Sequence, residues 1–260
     1  GVSDPNWDGE FAESSVERLS QLYEFCINNY GKGANKHDFA EKLLESQLNC
    51  IIKSTTGFME EAMFRSALQI GYFEMQRVIR QYVRLTKNNP SKKMINKAIE
   101  SQLLILAPFT PFICEEIWHK IGRKGLISAA EWPKYDEEKI DERVMYMEEI
   151  IENTRKDLHA VLKLLKIGKP GKIRLFVAED WKYRFIQELK NGLEKTNDVS
   201  QIINKLMSTD LKKYGNEITK LAPQLLKKSR VPAYVLDQET ELNLMKEAAE
   251  LYKDELKADF

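Results

Sequence analysis

The 260-residue sequence lacks what membrane-spanning, secreted or fibrous proteins need. Its longest apolar run, residues 103–114, contains two prolines and is shorter than the roughly 18 to 20 residues of a membrane-spanning helix. The three cysteines, Cys26, Cys50 and Cys114, are far apart and predict reduced buried thiols rather than disulfides. With 12 glycines, 8 prolines and 43% apolar residues, the chain is neither collagen-like nor disordered. A cytoplasmic protein with no membrane partner is expected.

The sequence also lacks the patterns of common catalytic and cofactor sites. Its 3 histidines are far apart, and none has the spacing of a metal site. Glu115 and His119 are four residues apart on a predicted helix, where an ordinary side-chain pair is the more frequent arrangement. Cys114 lies in an apolar helical segment, which predicts a core position. No catalytic residue, metal or cofactor is therefore predicted within this chain.

The absence of net charge conceals a strong internal pattern, because 40 basic residues balance 40 acidic ones. Residues 1–64 carry a net charge of −6, whereas residues 65–97 carry +7. Residues 163–230 carry +9, and residues 231–260 carry −5. Two basic zones therefore alternate with acidic segments. Such zones are typical of proteins that bind a polyanion, although mixed charge on helical surfaces also keeps proteins soluble.

Apolar residues at helical spacing predict a mainly α-helical protein. The predicted helices of the first part cover about residues 11–28, 38–53, 58–87, 92–106, 111–121 and 141–165. Ser54 to Gly57 is predicted to break the second helix from the third. Ser91 is a predicted N-cap, and Pro111 suits the first position of a helix because its missing N–H costs nothing there.

A change of pattern at Gly168-Lys169-Pro170-Gly171 predicts a domain boundary. Residues 173–177 alternate like a strand, residues 231–236 offer a second strand, and helices are predicted over residues 181–190, 199–207, 210–228 and 239–256. The predicted architecture is a helical bundle (1–140), a connecting helix and turn (141–170), and a small α/β (α+β) domain (171–260).

A stripe of basic residues stands out on the third predicted helix. Arg77, Arg80, Arg84 and Lys87 are spaced three, four and three, so they share one helix side over about 15 Å. Lys92 and Lys93 extend the stripe, and Tyr72 and Gln76 lie one turn back, where they can contact nucleotides. Guanidinium groups suit phosphate oxygens. The alternative is a solvated helix face salt-bridged to the acidic residues of 1–64.

Further basic residues cluster in the second zone. The candidate RNA contacts there are Lys169, Lys172, Lys212, Lys213, Lys227, Lys228 and Arg230. A looser stripe on the sixth predicted helix contains Arg155, His159, Lys163 and Lys166. Basic residues in the last turn of a helix also satisfy the helix dipole, so some of them need no ligand.

One motif carries a family resemblance. Leu106-Ala107-Pro108-Phe109-Thr110-Pro111-Phe112-Ile113-Cys114-Glu115-Glu116-Ile117-Trp118, followed by Glu131-Trp132-Pro133, resembles the anticodon-binding helical bundle of class I aminoacyl-tRNA synthetases. Its physical role is local: two prolines force a corner between helices, aromatic residues fill it, and Trp132-Pro133 closes the end of the bundle.

Other segments narrow the resemblance. Val177-Ala178-Glu179-Asp180-Trp181-Lys182 and Lys205-Leu206-Met207 are similar to the C-terminal region of archaeal and eukaryotic cytosolic leucyl-tRNA synthetases. The catalytic signatures of that family, His-x-Gly-His and Lys-Met-Ser-Lys-Ser, do not occur in this sequence. The resemblance therefore implies an inactive part of a longer ligase, whose catalytic and editing domains lie elsewhere in the parent chain and whose reaction uses ATP and Mg²⁺.

The same resemblance implies the partner. The implied partner is a leucine tRNA, tRNA(Leu), and not DNA. The resemblance implies contact with the body of this tRNA and with its long variable arm. The terminal residues of the family are implicated in recognition of that arm, and Leu256, Lys257 and Phe260 occupy this place here. Two alternatives stay open: the anticodon-reading part of an isoleucyl or valyl enzyme, and a non-enzymatic helical adaptor that binds a protein.

Overall fold

The computed structural model describes residues 8–33, 38–196, 198–227, 232 and 234–260. The chain folds as two compact units, Gly1–Met145 and Tyr146–Phe260. The division predicted at residues 140 and 170 stays a prediction. The described residues are mainly α-helical, as expected. Among them, no helix is long and apolar enough to cross a membrane.

Helices build the first unit around one apolar core, which includes the fully buried Leu48, Ile95 and Ile99. The predicted helix over residues 92–106 is confirmed, and Pro111 stands at the start of the next helix as predicted. The elements are α1 (Gly9–Asn29), α2 (Asp38–Glu60), α3 (Phe64–Leu68), a π-helical turn (Gln69–Glu74), α4 (Met75–Leu85), α5 (Lys92–Leu106), α6 (Pro111–Lys120) and the start of α7 (Glu142–Leu164).

The predicted break at Ser54 to Gly57 is wrong, because α2 continues through these residues to Glu60. The Thr56 hydroxyl donates to the Ile52 carbonyl at 2.7 Å and accepts a bond from the Trp132 ring nitrogen at 2.9 Å, so it stays inside the helix. The helix ends instead at Glu60, and Ala62 just beyond it adopts φ 56°. There the Met63 N–H reaches back to the Phe58 carbonyl at 2.8 Å, closing the helix end.

The third predicted helix is interrupted by the π-helical turn, which the apolar spacing does not indicate. A π turn inserts a residue relative to the α-helical repeat and so changes which side chains face the core. Helical spacing places Phe73 among the apolar contacts of the third predicted helix, yet it is 39% exposed, whereas Gly71 is buried. Gly71 lies so close to α5 and α2 that a Cβ there would collide with the Ile105 Cγ2 atom and approach Thr55 Cγ2 to 3.2 Å.

The proline corner between α5 and α6 is a scaffold, but its aromatic filling differs from expectation. Phe112 is 90% exposed, so it does not fill the corner. Glu115 on α6 accepts the Ile127 N–H at 3.0 Å, which joins α6 to the segment that follows it. Trp132 packs against the core and bonds to Thr56, which closes the end of the unit as predicted.

The second unit is helical, and the predicted α/β character is not present among the described residues. Its elements are most of α7, then α8 (Asp180–Leu193), α9 (Val199–Leu206), a 3₁₀ turn (Asp210–Tyr214), α10 (Gly215–Lys227) and α11 (Gln238–Leu256). Trp181, Phe185 and Leu189 of α8 pack with Ile218 of α10 in its core.

The strand predicted at residues 173–177 shows the expected alternation of burial but no strand partner within the described chain. Ile173, Leu175 and Val177 are half-buried, while Phe176 is 88% exposed. The backbone forms only an isolated parallel bridge between Lys172 and Asp259. Of the second predicted strand, Val231 and Ala233 lie outside the described residues, and residues 234–236 are not a strand.

Candidate nucleic-acid interface

The basic stripe of α4 lies in one short segment of the first unit. Arg77 and Arg80 are exposed, and Arg84 is half-buried near the end of the helix. Lys87 follows the helix in a left-handed turn with φ 49°, and its side chain is exposed. Lys92 and Lys93 are exposed on the first turn of α5. The structure thus places these six predicted contacts within two consecutive helices and their connection.

Part of the basic zone of residues 65–97 is salt-bridged, and the pair of Lys97 with Glu45 reaches the acidic residues of 1–64 that the alternative interpretation named. The Arg77 guanidinium pairs with Glu74, with 2.6 Å between Nη2 and Oε1. Lys97 pairs with Glu45 at 3.0 Å. Burial opposes ionisation of Glu45, yet Lys97 and Lys139 hold its pKa below the usual value. Gln76 is also engaged, because its amide donates to Gln102 at 2.9 Å.

In the second unit, the boundary turn and the chain terminus lie side by side. Lys169 and Lys172 are exposed. The Ile173 N–H donates to the Asp259 carbonyl at 2.8 Å, and the Asp259 N–H donates to the Gly171 carbonyl at 3.3 Å. The predicted contacts of the boundary turn, Lys169 and Lys172, therefore lie beside those at the chain terminus. No local sequence pattern indicated this proximity.

The terminal residues themselves are ordered by this pairing. Leu256 ends α11 half-buried, and Lys257 turns the chain with φ 51° and an exposed side chain. The Phe260 ring lies 5.9 Å from the Tyr252 ring, centroid to centroid. Because Tyr252 is in the core, this contact holds the terminal aromatic residue against the unit.

A second cationic group surrounds a pair of stacked rings. Trp181 and Tyr214 stack at 4.4 Å with an interplanar angle of 11°. Lys213 Nζ lies 5.0 Å from the Tyr214 centroid, and Lys182 Nζ lies 5.6 Å from the Trp181 centroid. Lys212 is exposed on the same 3₁₀ turn as Lys213. Lys182 was missed by the sequence reasoning, although its position next to Trp181 is visible in the sequence.

Three other predicted contacts are not located. Lys228 and Arg230 lie outside the described residues, and Lys227 ends α10 without a described side chain. In the looser stripe on the sixth predicted helix, Arg155 and His159 contact carboxylates. Arg155 pairs with Glu152 at 3.1 Å and with Glu255 at 2.9 Å, and Glu255 also lies 2.8 Å from His159 Nε2.

The described side chains show neither a metal site nor an activated nucleophile. Within that part of the chain, no group of three or more His, Cys, Asp or Glu residues could hold a metal ion. Burial, then the neighbouring Cys114, raises the pKa of Cys26 to about 12, and burial also raises the pKa of Cys114. Both thiols therefore stay protonated. Glu115 contacts His119 at 3.0 Å and anchors Ile127, so it is a structural residue.

Comparisons with known proteins relate the chain to tRNA ligases. A family model described as the anticodon-binding domain of tRNA ligase matches residues 41–175. The leucine-tRNA ligase of Aeropyrum pernix is 32% identical over 260 residues, which cover 98% of this chain and 26% of that protein. The leucine-tRNA ligase of Pyrococcus horikoshii is 28% identical over 241 residues, covering 92% of this chain and 24% of that protein.

Among solved structures, a ternary complex of an Agrobacterium radiobacter K84 leucyl-tRNA synthetase matches 53% of this chain and 18% of that one. Its TM-score is 0.43 at 20% sequence identity, a likeness that carries no further conclusion. The chain spans about a quarter of the length of the curated relatives it matches.

Proposed function

Because the chain belongs to the family of anticodon-binding domains of tRNA ligases, we propose that it binds tRNA(Leu) as part of a leucine-tRNA ligase. The observation that carries this proposal is the basic surface of α4 and α5, which lies inside the family match and exposes Arg80, Lys92 and Lys93. Sequence-independent contacts of Lys and Arg with phosphates supply most of the binding energy in such complexes.

A second contact comes from the second unit. Lys169, Lys172, Lys212, Lys213 and Lys257 are all exposed there. The pairing of residues 171–173 with Asp259 orders the terminus beside two of these lysines. An ordered surface loses less conformational entropy on binding than a mobile one. This unit is the part that we assign to the long variable arm of the tRNA.

In this proposal, the parent protein attaches leucine to its tRNA. Its catalytic and editing domains are the other partners of the chain, and ATP and Mg²⁺ bind in those domains. The present 260 residues contain neither catalytic signature, so this part alone does not aminoacylate. We place the protein in the cytoplasm, where tRNA is charged for translation.

A binding titration tests the proposal. The 260-residue chain is titrated with a leucine tRNA transcript and with a tRNA that has a short variable arm, at salt concentrations between about 50 and 200 mM. We expect tighter binding of the leucine tRNA and a linear fall of log K with log salt concentration. Equal affinity for both tRNAs would contradict recognition of the variable arm.

Two further measurements distinguish this proposal from the anticodon-reading and protein-binding alternatives. Changing the anticodon bases of the leucine tRNA is expected to leave its affinity unchanged, whereas a loss of affinity would indicate the anticodon-reading part of an isoleucyl or valyl enzyme. No binding of either tRNA at about 50 mM salt would favour the protein-binding adaptor, because electrostatic contacts with RNA are strongest at low salt.

A further inference from the structure

We propose that Arg18, held in place by Tyr72 and Phe73, forms a phosphate-binding subsite for the RNA backbone together with Arg80. This inference rests on the proposed function and extends it to a site that includes Arg18. The four residues come from two segments far apart in sequence: Arg18 lies on α1, whereas the other three belong to the π-helical turn and to α4, which follows it directly.

The aromatic pair at the π-helical turn connects the two helices. The Tyr72 and Phe73 rings meet edge to face, with centroids 5.0 Å apart and an interplanar angle of 76°. The Arg18 guanidinium carbon lies 5.7 Å from the Phe73 centroid. The Tyr72 hydroxyl donates to the backbone carbonyl of Arg18 at 3.3 Å. Both the backbone and the side chain of Arg18 are thus attached to the turn.

Arg80 follows Phe73 by seven residues, about two helical turns, so both lie on the same side of the helix that runs from the π-helical turn into α4. The positive charges of Arg18 and Arg80 both act on the Tyr72 hydroxyl, and both work against burial, which raises its pKa. An anion placed near that hydroxyl is therefore attracted by both arginines.

The charge of the cluster is not neutralised by its surroundings. Among the described residues, neither Arg18 nor Arg80 has a carboxylate within ion-pair distance. Glu17, next to Arg18, accepts a bond from the Gln21 amide at 3.2 Å, and Glu74, six residues before Arg80, already binds the Arg77 guanidinium. Both arginines are exposed. Two exposed arginines without a counterion fit a polyanion better than an apolar protein surface.

The rings restrict the conformations of the Arg18 side chain, which an isolated surface arginine would sample freely. A cation above an aromatic face is stabilised by the ring quadrupole, and fixing the guanidinium before binding reduces the entropy lost when a phosphate arrives. Phe73 is therefore a positioning residue, since it acts through Arg18. This role gives a physical reason for the exposure of Phe73 that the helical pattern did not predict.

The test is a salt titration of leucine tRNA binding by the full 260-residue chain and its variants. Arg18→Gln and Arg80→Gln are each expected to weaken binding about three- to tenfold at low salt. Each is also expected to reduce the slope of log K against log salt concentration by about 0.7 to 0.9, the value for one phosphate contact. Arg65→Gln is the matched control, because Arg65 is an exposed arginine on α3 outside the cluster.

Phe73→Leu separates positioning from charge. It keeps both arginines, so we expect weaker binding with an unchanged salt slope. Melting temperatures measured on all variants show whether they are folded, and the exposed arginine substitutions are expected to leave them within about 2 °C of the parent chain. A Phe73→Leu variant that binds like the parent chain would show that the ring does not position Arg18.

The outcomes distinguish the subsite from the proposed function. If the parent chain binds no tRNA, both the proposed function and the subsite are wrong. If the parent chain binds and the Arg18 and Arg80 variants match Arg65→Gln in affinity and slope, only the subsite is wrong, and a protein surface becomes the better partner for these arginines. Reduced affinity with reduced slope in both variants supports the subsite.

Discussion

Glu74 holds the guanidinium of Arg77 through both of its carboxylate oxygens: Arg77 Nε lies 2.9 Å from Oε2, and Nη2 lies 2.6 Å from Oε1. The amide oxygen of Gln81 also accepts a bond from the same guanidinium at 3.2 Å. Arg77 therefore enters any encounter with RNA already paired, unlike Arg80 three residues later. The spacing of the stripe is real, but its members are not electrostatically equivalent.

We expect Glu74→Gln to strengthen tRNA binding several-fold at low salt. The substitution removes one negative charge from the zone and releases Arg77 to a phosphate, so the salt slope is also expected to steepen by about 0.7 to 0.9. The melting temperature should hardly change, because an exposed pair three residues apart on a helix contributes only about 0.2 to 0.5 kcal/mol. Salt-dependent titration with leucine tRNA measures both effects.

Glu61→Gln is the control for this prediction. Glu61 is an exposed acidic residue just after α2, and its removal changes the net charge equally without releasing an arginine from a described ion pair. If Glu74→Gln binds no more tightly than Glu61→Gln, Arg77 does not contact RNA even when it is released.

The sequence predicted those elements whose ends depend on local chemistry. The helix from Lys92 to Leu106 and the start of α6 at Pro111 follow from residues within one turn of each end. The continuation of α2 through Ser54 to Gly57 could not be predicted in this way. It coincides with a bond between Thr56 and Trp132, which are 76 residues apart.

The candidate site likewise has parts that local spacing predicts and parts that depend on tertiary contacts. The stripe on α4 could be predicted because residues three and four apart share a helix side. The approach of Arg18 to Phe73 and the pairing of residues 171–173 with Asp259 depend on tertiary contacts between distant segments. The predicted strand at 173–177 has the right alternation of burial, but a strand also needs a partner, and periodicity contains no information about partners.

Removing residues 257–260 is expected to release the boundary turn. The Ile173 N–H would lose its acceptor at Asp259, so its hydrogen exchange should become faster. We also expect weaker binding of leucine tRNA, because Lys169 and Lys172 lose the segment that orders them and Lys257 is removed. Amide exchange by NMR and the tRNA titration measure the two effects on the same sample.

Lys257→Gly is the control for the deletion. Lys257 has φ 51°, a conformation that glycine adopts more easily than other residues, so the terminal pairing should persist. Protection of the Ile173 amide is expected to remain, with a reduction in affinity that corresponds to a single charge. Unchanged exchange at Ile173 in the deletion variant would show that the terminal pairing does not order the turn.

Two glycines in the first unit should respond in opposite directions to alanine. A Cβ at Gly71 would collide with Ile105, so Gly71→Ala is expected to cost about 1 to 3 kcal/mol of unfolding free energy. Gly57 lies within α2, where an added Cβ would meet no atom within 4 Å, so Gly57→Ala should stabilise by about 0.5 to 1 kcal/mol. Urea unfolding measures both, and a neutral Gly71→Ala would contradict the close approach of the π-helical turn to α5.

Tyr30 links α1 to α5 and makes stability depend on alkaline pH. Its hydroxyl donates to the Glu100 carboxylate, which also pairs with Arg123. Burial raises the pKa of Tyr30 to about 12, and Glu100 adds to this effect while Arg123 opposes it. The folded state therefore binds the phenolic proton more tightly than the unfolded state, whose tyrosine pKa is about 10.

The stability that Tyr30 contributes is fully present below pH 10 and is lost as the pH rises from about 10 to about 12. We expect Tyr30→Phe to unfold at lower urea concentration than the parent chain at about pH 8, because the bond to Glu100 is missing. The difference between the two proteins should shrink as the pH approaches about 12, since the parent chain alone must then deprotonate this phenol. A difference that stays constant over this whole range of pH would mean that Tyr30 titrates alike in the folded and unfolded states.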